Sequence, residues 1–137
     1  MKILICRGNF ETPKSYPHWK ELLELLKDHE VKEIKGILTE DEIINVVNWS
    51  DIWITVDSFL PHLCTFKKLK HGIVLWGVSD PRVFGYETNI NLLKSRDNLR
   101  SIQDQFKWWK DVPYNSDVFV TAEEIVKEVS IFEGKKN

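Results

Sequence analysis

Residues 51–62 read DIWITVDSFLPH, and this stretch joins a predicted strand directly to a predicted helix. Its first half is rich in β-branched and aromatic residues, which is typical of a strand, and Asp57 and Ser58 end that run. Ser58 is a residue type favoured at a helix N-cap, so Pro61 would occupy the third helical position. A missing N–H there costs no intrahelical hydrogen bond. The stretch therefore predicts a buried strand that runs straight into a helix.

Other apolar runs predict further strands. Residues 2–6 (KILIC) and 73–76 (IVLW) are largely apolar and end at turn-forming residues, as expected of strands buried on both faces. Residues 31–35 carry a weaker strand pattern, and residues 89–93 are a candidate fifth strand.

Helical patterns separate these runs. The first helix is indicated by an apolar face at Trp19, Leu22, Leu23 and Leu26, with Pro17 as its first residue. Residues 39–42 (TEDE) and 121–124 (TAEE) each fit a capping box at a helix start. The second of these opens a terminal helix with Ile125, Val129 and Phe132 facing inward. Another helix is predicted from the spacing of Leu99, Ile102, Phe106 and Trp109.

Strands that alternate with helices predict a parallel sheet covered on both faces. The expected fold is α/β, a single Rossmann-like doubly wound domain with residues 3–6, 52–56 and 73–76 in central strands. A chain of 137 residues fits one such domain. We expect the domain to span residues 1–132 and residues 133–137 to form a frayed polar tail.

Composition excludes several classes of partner. With 19 basic and 21 acidic residues the formal net charge is −2, so the chain lacks the basic excess that nucleic-acid binding requires. No apolar stretch approaches the about 20 residues of a membrane-spanning helix, so no membrane span is expected. Cys6 and Cys64 fit no metal-ligand spacing and are expected to be buried free thiols. Free thiols predict a cytoplasmic protein.

Ligands of an open parallel sheet bind beyond the carboxyl ends of its strands. The loops at residues 7–14, 57–62 and 77–82 meet this condition. In the middle loop the helix N-terminus would offer free N–H groups to an anion, and His62 could add a ring N–H. The alternative is that Ser58 is a plain helix cap, Asp57 a turn acid and His62 a surface residue.

Three further side chains also allow two interpretations. Arg7 and Lys14 follow the first predicted strand, where they either contact a phosphate or are simply solvated. Trp108 either packs in the core or is left exposed for a partner.

The same segments resemble the C-terminal domain of the heptosyltransferase family of glycosyltransferases, family 9, which has the GT-B fold. Residues 51–62 resemble that family's strand followed by Asp-Ser/Thr-Gly-x-x-His, and residues 73–81 resemble its strand ending in Phe-Gly-x-Thr-x-Pro. Residues 14–19 are similar to its Lys-x-x-Pro helix entry, and residues 105–108 with the terminal capping box resemble its tail. The resemblance spans roughly residues 2–132.

This resemblance implies one half of a GT-B fold, which binds a nucleoside-diphosphate sugar as donor. It implies Lys14 near the donor phosphates, Asp57 and Ser58 at the sugar diphosphate, His62 in support of that loop, and Asp80 near the site. Neither a metal nor another cofactor is implied, because basic side chains and a helix N-terminus stabilise the leaving diphosphate.

The chain departs from the family pattern in three ways. Phe59 replaces the family's glycine, and a side chain there limits how closely the backbone approaches a phosphate. The region between Leu26 and Thr39 is one strand–helix unit short, and that unit carries a family contact to the nucleoside. No counterpart of the N-terminal domain, which holds the acceptor and the catalytic base, is recognised, so we assign no catalytic residue.

Two hypotheses follow. The chain is either a donor-binding domain that acts with a separately encoded acceptor domain, or a degenerate, non-catalytic binding or assembly module. Because the missing domain would leave surface uncovered, we expect a homodimer or a hetero-complex. A flavodoxin-like or receiver-like domain is disfavoured, since neither an acidic cluster nor a Ser/Thr-rich phosphate loop follows the first strand.

Overall fold

The computed structural model describes residues 1–8, 14–101, 103 and 114–136. The strands within these residues are β1 (Lys2–Cys6), β2 (Glu30–Glu33), β3 (Ile52–Val56), β4 (Ile73–Trp76) and β5 (Ile90–Leu93). The helices are α1 (Trp19–Leu25), α2 (Glu40–Trp49), α3 (Phe59–Phe66), α4 (Pro81–Phe84) and α5 (Ala122–Lys136). Short 3-10 turns lie at Arg96–Asn98 and Ser116–Val118.

The described strands form one parallel sheet in the order β2-β1-β3-β4-β5. Every residue of β3 and β4 is buried, as are the last four residues of β1. This confirms the prediction of an α/β doubly wound domain with these three strands at its centre. Flavodoxin-like domains share this strand order, so the order does not itself separate the chain from that class.

Helices cover both faces of the sheet. One face is covered by α1 and α5, with the buried side chains of Leu22, of Leu26 directly after α1, and of Ile125 and Val129. On the other face α2 and α3 contribute Val47, Leu60 and Cys64, and Phe84 of α4 packs beside them. Cys6 and Cys64 are buried free thiols, as predicted. Among the described helices, none is both long and apolar enough to cross a bilayer.

The starts of α2 and α5 follow the sequence pattern, whereas α1 begins two residues later than predicted. Thr39 and Glu42 form the predicted capping box at α2. At α5 the Thr121 hydroxyl oxygen accepts a hydrogen bond from the Glu124 amide at 3.2 Å. Pro17 is not the first residue of α1, however, because that helix begins at Trp19 with His18 as its N-cap.

The chain ahead of α1 is held by Tyr16 instead of by a helical turn. The Tyr16 ring is buried, and its hydroxyl donates to the carbonyl oxygen of Val120 at 2.9 Å. This contact ties the entry of α1 to the segment that precedes α5, which places the two helices side by side.

Residues 133–136 are the end of α5 and not a frayed tail. Glu133 lies 3.9 Å from the amino group of Met1, and Lys136 forms an ion pair with Asp51. These two contacts hold the last turn against the sheet. Of the helix predicted from Leu99, Ile102, Phe106 and Trp109, only Leu99 is described, and its backbone is extended after the 3-10 turn. The other three residues fall outside the described residues, as does Trp108.

Candidate functional site

The crevice between the carboxyl ends of β1 and β3 is the candidate site. β1 leads to α1 on one face of the sheet, whereas β3 leads to α3 on the other, so the two connections diverge. Such a divergence is where open α/β sheets bind their ligands. Lys14, which follows β1 in the chain, and the junction at Asp57 and Ser58, which follows β3, lie on its two sides.

An ion pair links these two sides. Lys14 Nζ lies 3.0 Å from Asp57 Oδ2, and both side chains are largely shielded from solvent. Because Asp57 directly precedes the N-cap of α3, the ammonium group is held next to the start of that helix. Two of the residues that the sequence singled out are thus brought into direct contact.

The start of α3 differs from the prediction in one respect. Ser58 occupies the N-cap position and Pro61 is the third helical residue, as predicted. The Ser58 side chain nevertheless makes no capping hydrogen bond to the described residues, so its prediction as a side-chain cap is wrong. Its Oγ instead lies 3.0 Å from Oγ1 of Thr55.

Thr55 explains this difference. It is a fully buried polar residue in an otherwise apolar strand, and its hydroxyl donates to the carbonyl oxygen of Cys6 at 2.8 Å. Cys6 and Thr55 are paired neighbours in the β1–β3 register. Ser58 is therefore drawn toward the sheet, and the backbone N–H groups of Phe59 and Leu60 lack a side-chain cap among the described residues.

His62 is attached to a neighbouring loop. Its Nδ1 lies 2.8 Å from the hydroxyl oxygen of Tyr86, and the two rings meet edge to face with centroids 5.4 Å apart. Tyr86 follows α4, so this contact joins the first turn of α3 to the next connection along the sheet. Nothing in the local sequence pattern pointed to Tyr86.

Asp80 is engaged on both carboxylate oxygens. Oδ1 accepts from the Arg82 amide at 2.9 Å, which caps α4, and Arg96 donates to Oδ1 and Oδ2 at 3.1 and 2.8 Å. The Arg96 guanidinium, and after it the Arg82 amide, lower the pKa of Asp80. The carboxylate thus holds the β4–α4 junction to the segment after β5.

Arg7 points to a partner within the sheet. Its Nε donates to Glu33 Oε1 at 2.6 Å, across the ends of β1 and β2. In this structure Arg7 is therefore ion-paired and about half exposed, while its contact with a phosphate stays a prediction.

A cavity of about 180 Å³ lies beside the crevice, at the carboxyl ends of β1 and β2. Its wall is formed by Cys6, Gly8, Ile34, Gly36, Leu38, Ile43 and Phe59. Gly8 and Gly36 both have left-handed backbone conformations, with φ of +81° and +72°, which favour glycine. Phe59, the first residue of α3, is 40% exposed, and its ring forms the aromatic part of the cavity wall.

Comparison of the chain with models of known families, with characterised proteins and with solved structures finds no significant match in any of the three. The family resemblance therefore stays a prediction from sequence, and the chemistry of the crevice has to be argued from its residues.

Proposed function

We propose that this chain binds the diphosphate end of a nucleoside-diphosphate sugar in the crevice between β1 and β3, as the donor-binding part of a glycosyltransferase. The observation that carries the proposal is the Lys14–Asp57 ion pair beside the uncapped first turn of α3. An ammonium group and backbone N–H groups at a helix start both favour an anion, and here they are neighbours.

Lys14 and Asp57 would contact different groups of the ligand. A diphosphate carries more negative charge than one carboxylate, so it competes with Asp57 for the ammonium of Lys14. Asp57 can only accept hydrogen bonds, and it is therefore suited to hydroxyl groups of the ribose or the sugar, not to the phosphates.

Binding is expected to be weak. Phe59 limits the approach of a phosphate to the backbone, and the missing strand–helix unit removes a family contact to the nucleoside. We estimate a dissociation constant in the high micromolar to millimolar range, about −4 to −6 kcal/mol.

Sugar transfer by this chain alone is not expected. Transfer requires an acceptor hydroxyl that is oriented and deprotonated by a base within about 3 Å, and a closed site from which water is excluded. A second wall for the crevice would have to come from an acceptor domain or from a second copy of the chain.

A non-catalytic binding or assembly module is the second candidate. It is favoured by the contacts of His62 and Asp80, whose polar atoms bond to Tyr86 and Arg96 within the fold. In that case the family motif persists because it stabilises the loops, and no nucleotide is needed.

Titration calorimetry with ADP, UDP, GDP and their sugars separates the two candidates. We expect at least one nucleotide sugar to bind, and Lys14→Met to weaken it about tenfold or more, as for loss of a charge-assisted contact. Lys67→Met is the matched control, since Lys67 lies at the C-terminal end of α3, away from the crevice, and forms an exposed ion pair with Glu40 of α2. Absence of binding at millimolar ligand would refute the proposal, and binding that Lys14→Met leaves unchanged would place the ligand elsewhere.

A further inference from the structure

The Thr55 and Ser58 hydroxyls fix each other's direction. A carbonyl oxygen can only accept, so the single hydroxyl proton of Thr55 is used in its 2.8 Å bond to Cys6. The 3.0 Å contact between Thr55 Oγ1 and Ser58 Oγ therefore requires the Ser58 hydroxyl to be the donor. The only side-chain proton of Ser58 is committed to the interior, while its oxygen keeps lone pairs for a partner.

The geometry points to Ser58 as an acceptor for a ligand hydroxyl group, with Thr55 as the positioning residue that sets this direction. The inference rests on the proposed function and specifies how the ligand lies in the crevice. A phosphate oxygen also only accepts, so it gains nothing from a Ser58 hydroxyl whose proton is already used. A sugar or ribose hydroxyl can donate to Ser58, which is half-buried and therefore reachable.

The ligand is thereby oriented. Its phosphates face Lys14 and the backbone of α3, and the 2-hydroxyl of the sugar or the 2′-hydroxyl of the ribose faces Ser58. This reverses the role that the family resemblance implies for Ser58, because the residue selects a hydroxyl group and does not donate to the diphosphate. Thr55, which makes no ligand contact in this arrangement, acts only through Ser58.

A purely structural role for Thr55 makes a different prediction. Buried hydroxyl groups are normally hydrogen-bonded, and the bond to Cys6 satisfies that requirement without any ligand. If that were the whole role, removing a ligand hydroxyl would have no effect that depends on Thr55 or Ser58.

The test compares parent and deoxy ligands. UDP-glucose, ADP-glucose and GDP-mannose are titrated first, and the tightest is compared with its 2-deoxy-sugar and its 2′-deoxyribose analogues. We expect one of the two analogues to bind about three- to tenfold more weakly, as for loss of one hydrogen bond. Which analogue is affected tells whether the hydroxyl belongs to the sugar or to the ribose.

Protein variants then assign the preference. Ser58→Ala should bind parent and analogue alike. Thr55→Val should reduce the preference, because a released Ser58 hydroxyl can turn, donate to phosphate and no longer aim its lone pairs at the ligand hydroxyl, whereas Thr55→Ser should keep it. Thr65→Val is the matched control, since Thr65 lies toward the other end of α3 and its hydroxyl bonds to Pro61.

The outcomes separate this inference from the proposed function. Measurable binding with equal affinity for parent and analogues would overturn the role of Ser58 and leave nucleotide-sugar binding intact. No binding of any ligand at millimolar concentration would overturn both. If Thr55→Val does not fold in a urea titration, Ser58→Ala alone decides, because a hydroxyl preference that survives in Ser58→Ala also overturns the inference.

Discussion

Gly72 directly precedes β4 and lies against Trp53, the most buried tryptophan of the sheet. A Cβ atom at this position would lie 2.1, 2.4 and 2.5 Å from three ring atoms of Trp53. The ring has no room to retreat, because Trp53 is fully buried and its Nε1 donates to the Lys70 carbonyl oxygen at 3.0 Å. The glycine backbone is also held, by hydrogen bonds to Asn89 and Ile90.

These distances set the cost of Gly72→Ala. Carbon atoms in contact are normally about 3.5–4.0 Å apart, so the new methyl group would overlap the ring by more than an ångström. Overpacking a tight core costs about 1–3 kcal/mol, and this overlap places the substitution at about 3 kcal/mol. For a domain of this size that loss lowers the melting midpoint by roughly 10 °C.

Urea unfolding, followed by tryptophan fluorescence, measures this difference. The matched control is Gly134→Ala in α5, where an added Cβ meets no atom of the described residues within 4 Å. There the same substitution should stabilise the helix by up to about 1 kcal/mol, since alanine is the better helix former. If Gly72→Ala unfolds within about 0.5 kcal/mol of the parent chain, the packing of Trp53 described here is wrong.

Two further outcomes follow from the ionisable groups. The pKa of Asp80 is lowered in the folded state by Arg96, so its stabilising contribution is present above the unfolded carboxyl pKa of about 4 and is lost as the pH falls through the folded value. Urea titrations from pH 7 to pH 2 should therefore show a smaller acid loss in Asp80→Asn than in the parent chain, and an equal loss would contradict the Arg96 contact. Burial raises the pKa of the Cys64 thiol to about 11, so a thiol reagent at pH 8 should label Cys64 only as fast as the protein unfolds. Rapid labelling of Cys64 without urea would show that the thiol is accessible.

The sheet could be predicted from the sequence because its central strands are continuous apolar runs. Residues 73–76, for example, are apolar throughout, and only a strand covered on both faces buries such a run. Lys14 and Asp57 were both assigned to loops beyond the carboxyl ends of the strands, but the ion pair between them was not predicted.

The direction of the side chains at the site could not be predicted in this way. The state of Ser58 depends on Thr55 and on Cys6, and their contact exists only in the β1–β3 register. His62 and Asp80 bond to residues 24 and 16 positions away, respectively. The local sequence pattern assigns these residues to loops at the carboxyl ends of the strands, but it does not show which distant side chain each of them contacts.

The ion pairs at the end of α5 have a practical consequence for binding experiments. Met1 precedes β1 and contacts Glu133 near the end of α5. Lys136 contacts Asp51, which directly precedes β3. Both ends of the described chain therefore lie at the amino ends of the parallel strands. The crevice lies at the carboxyl ends of these strands, about 17 Å away, which is the length of a five-residue strand. A chip surface, a resin or a fluorescent label attached through either end would thus sit behind the sheet and leave the crevice open to a ligand.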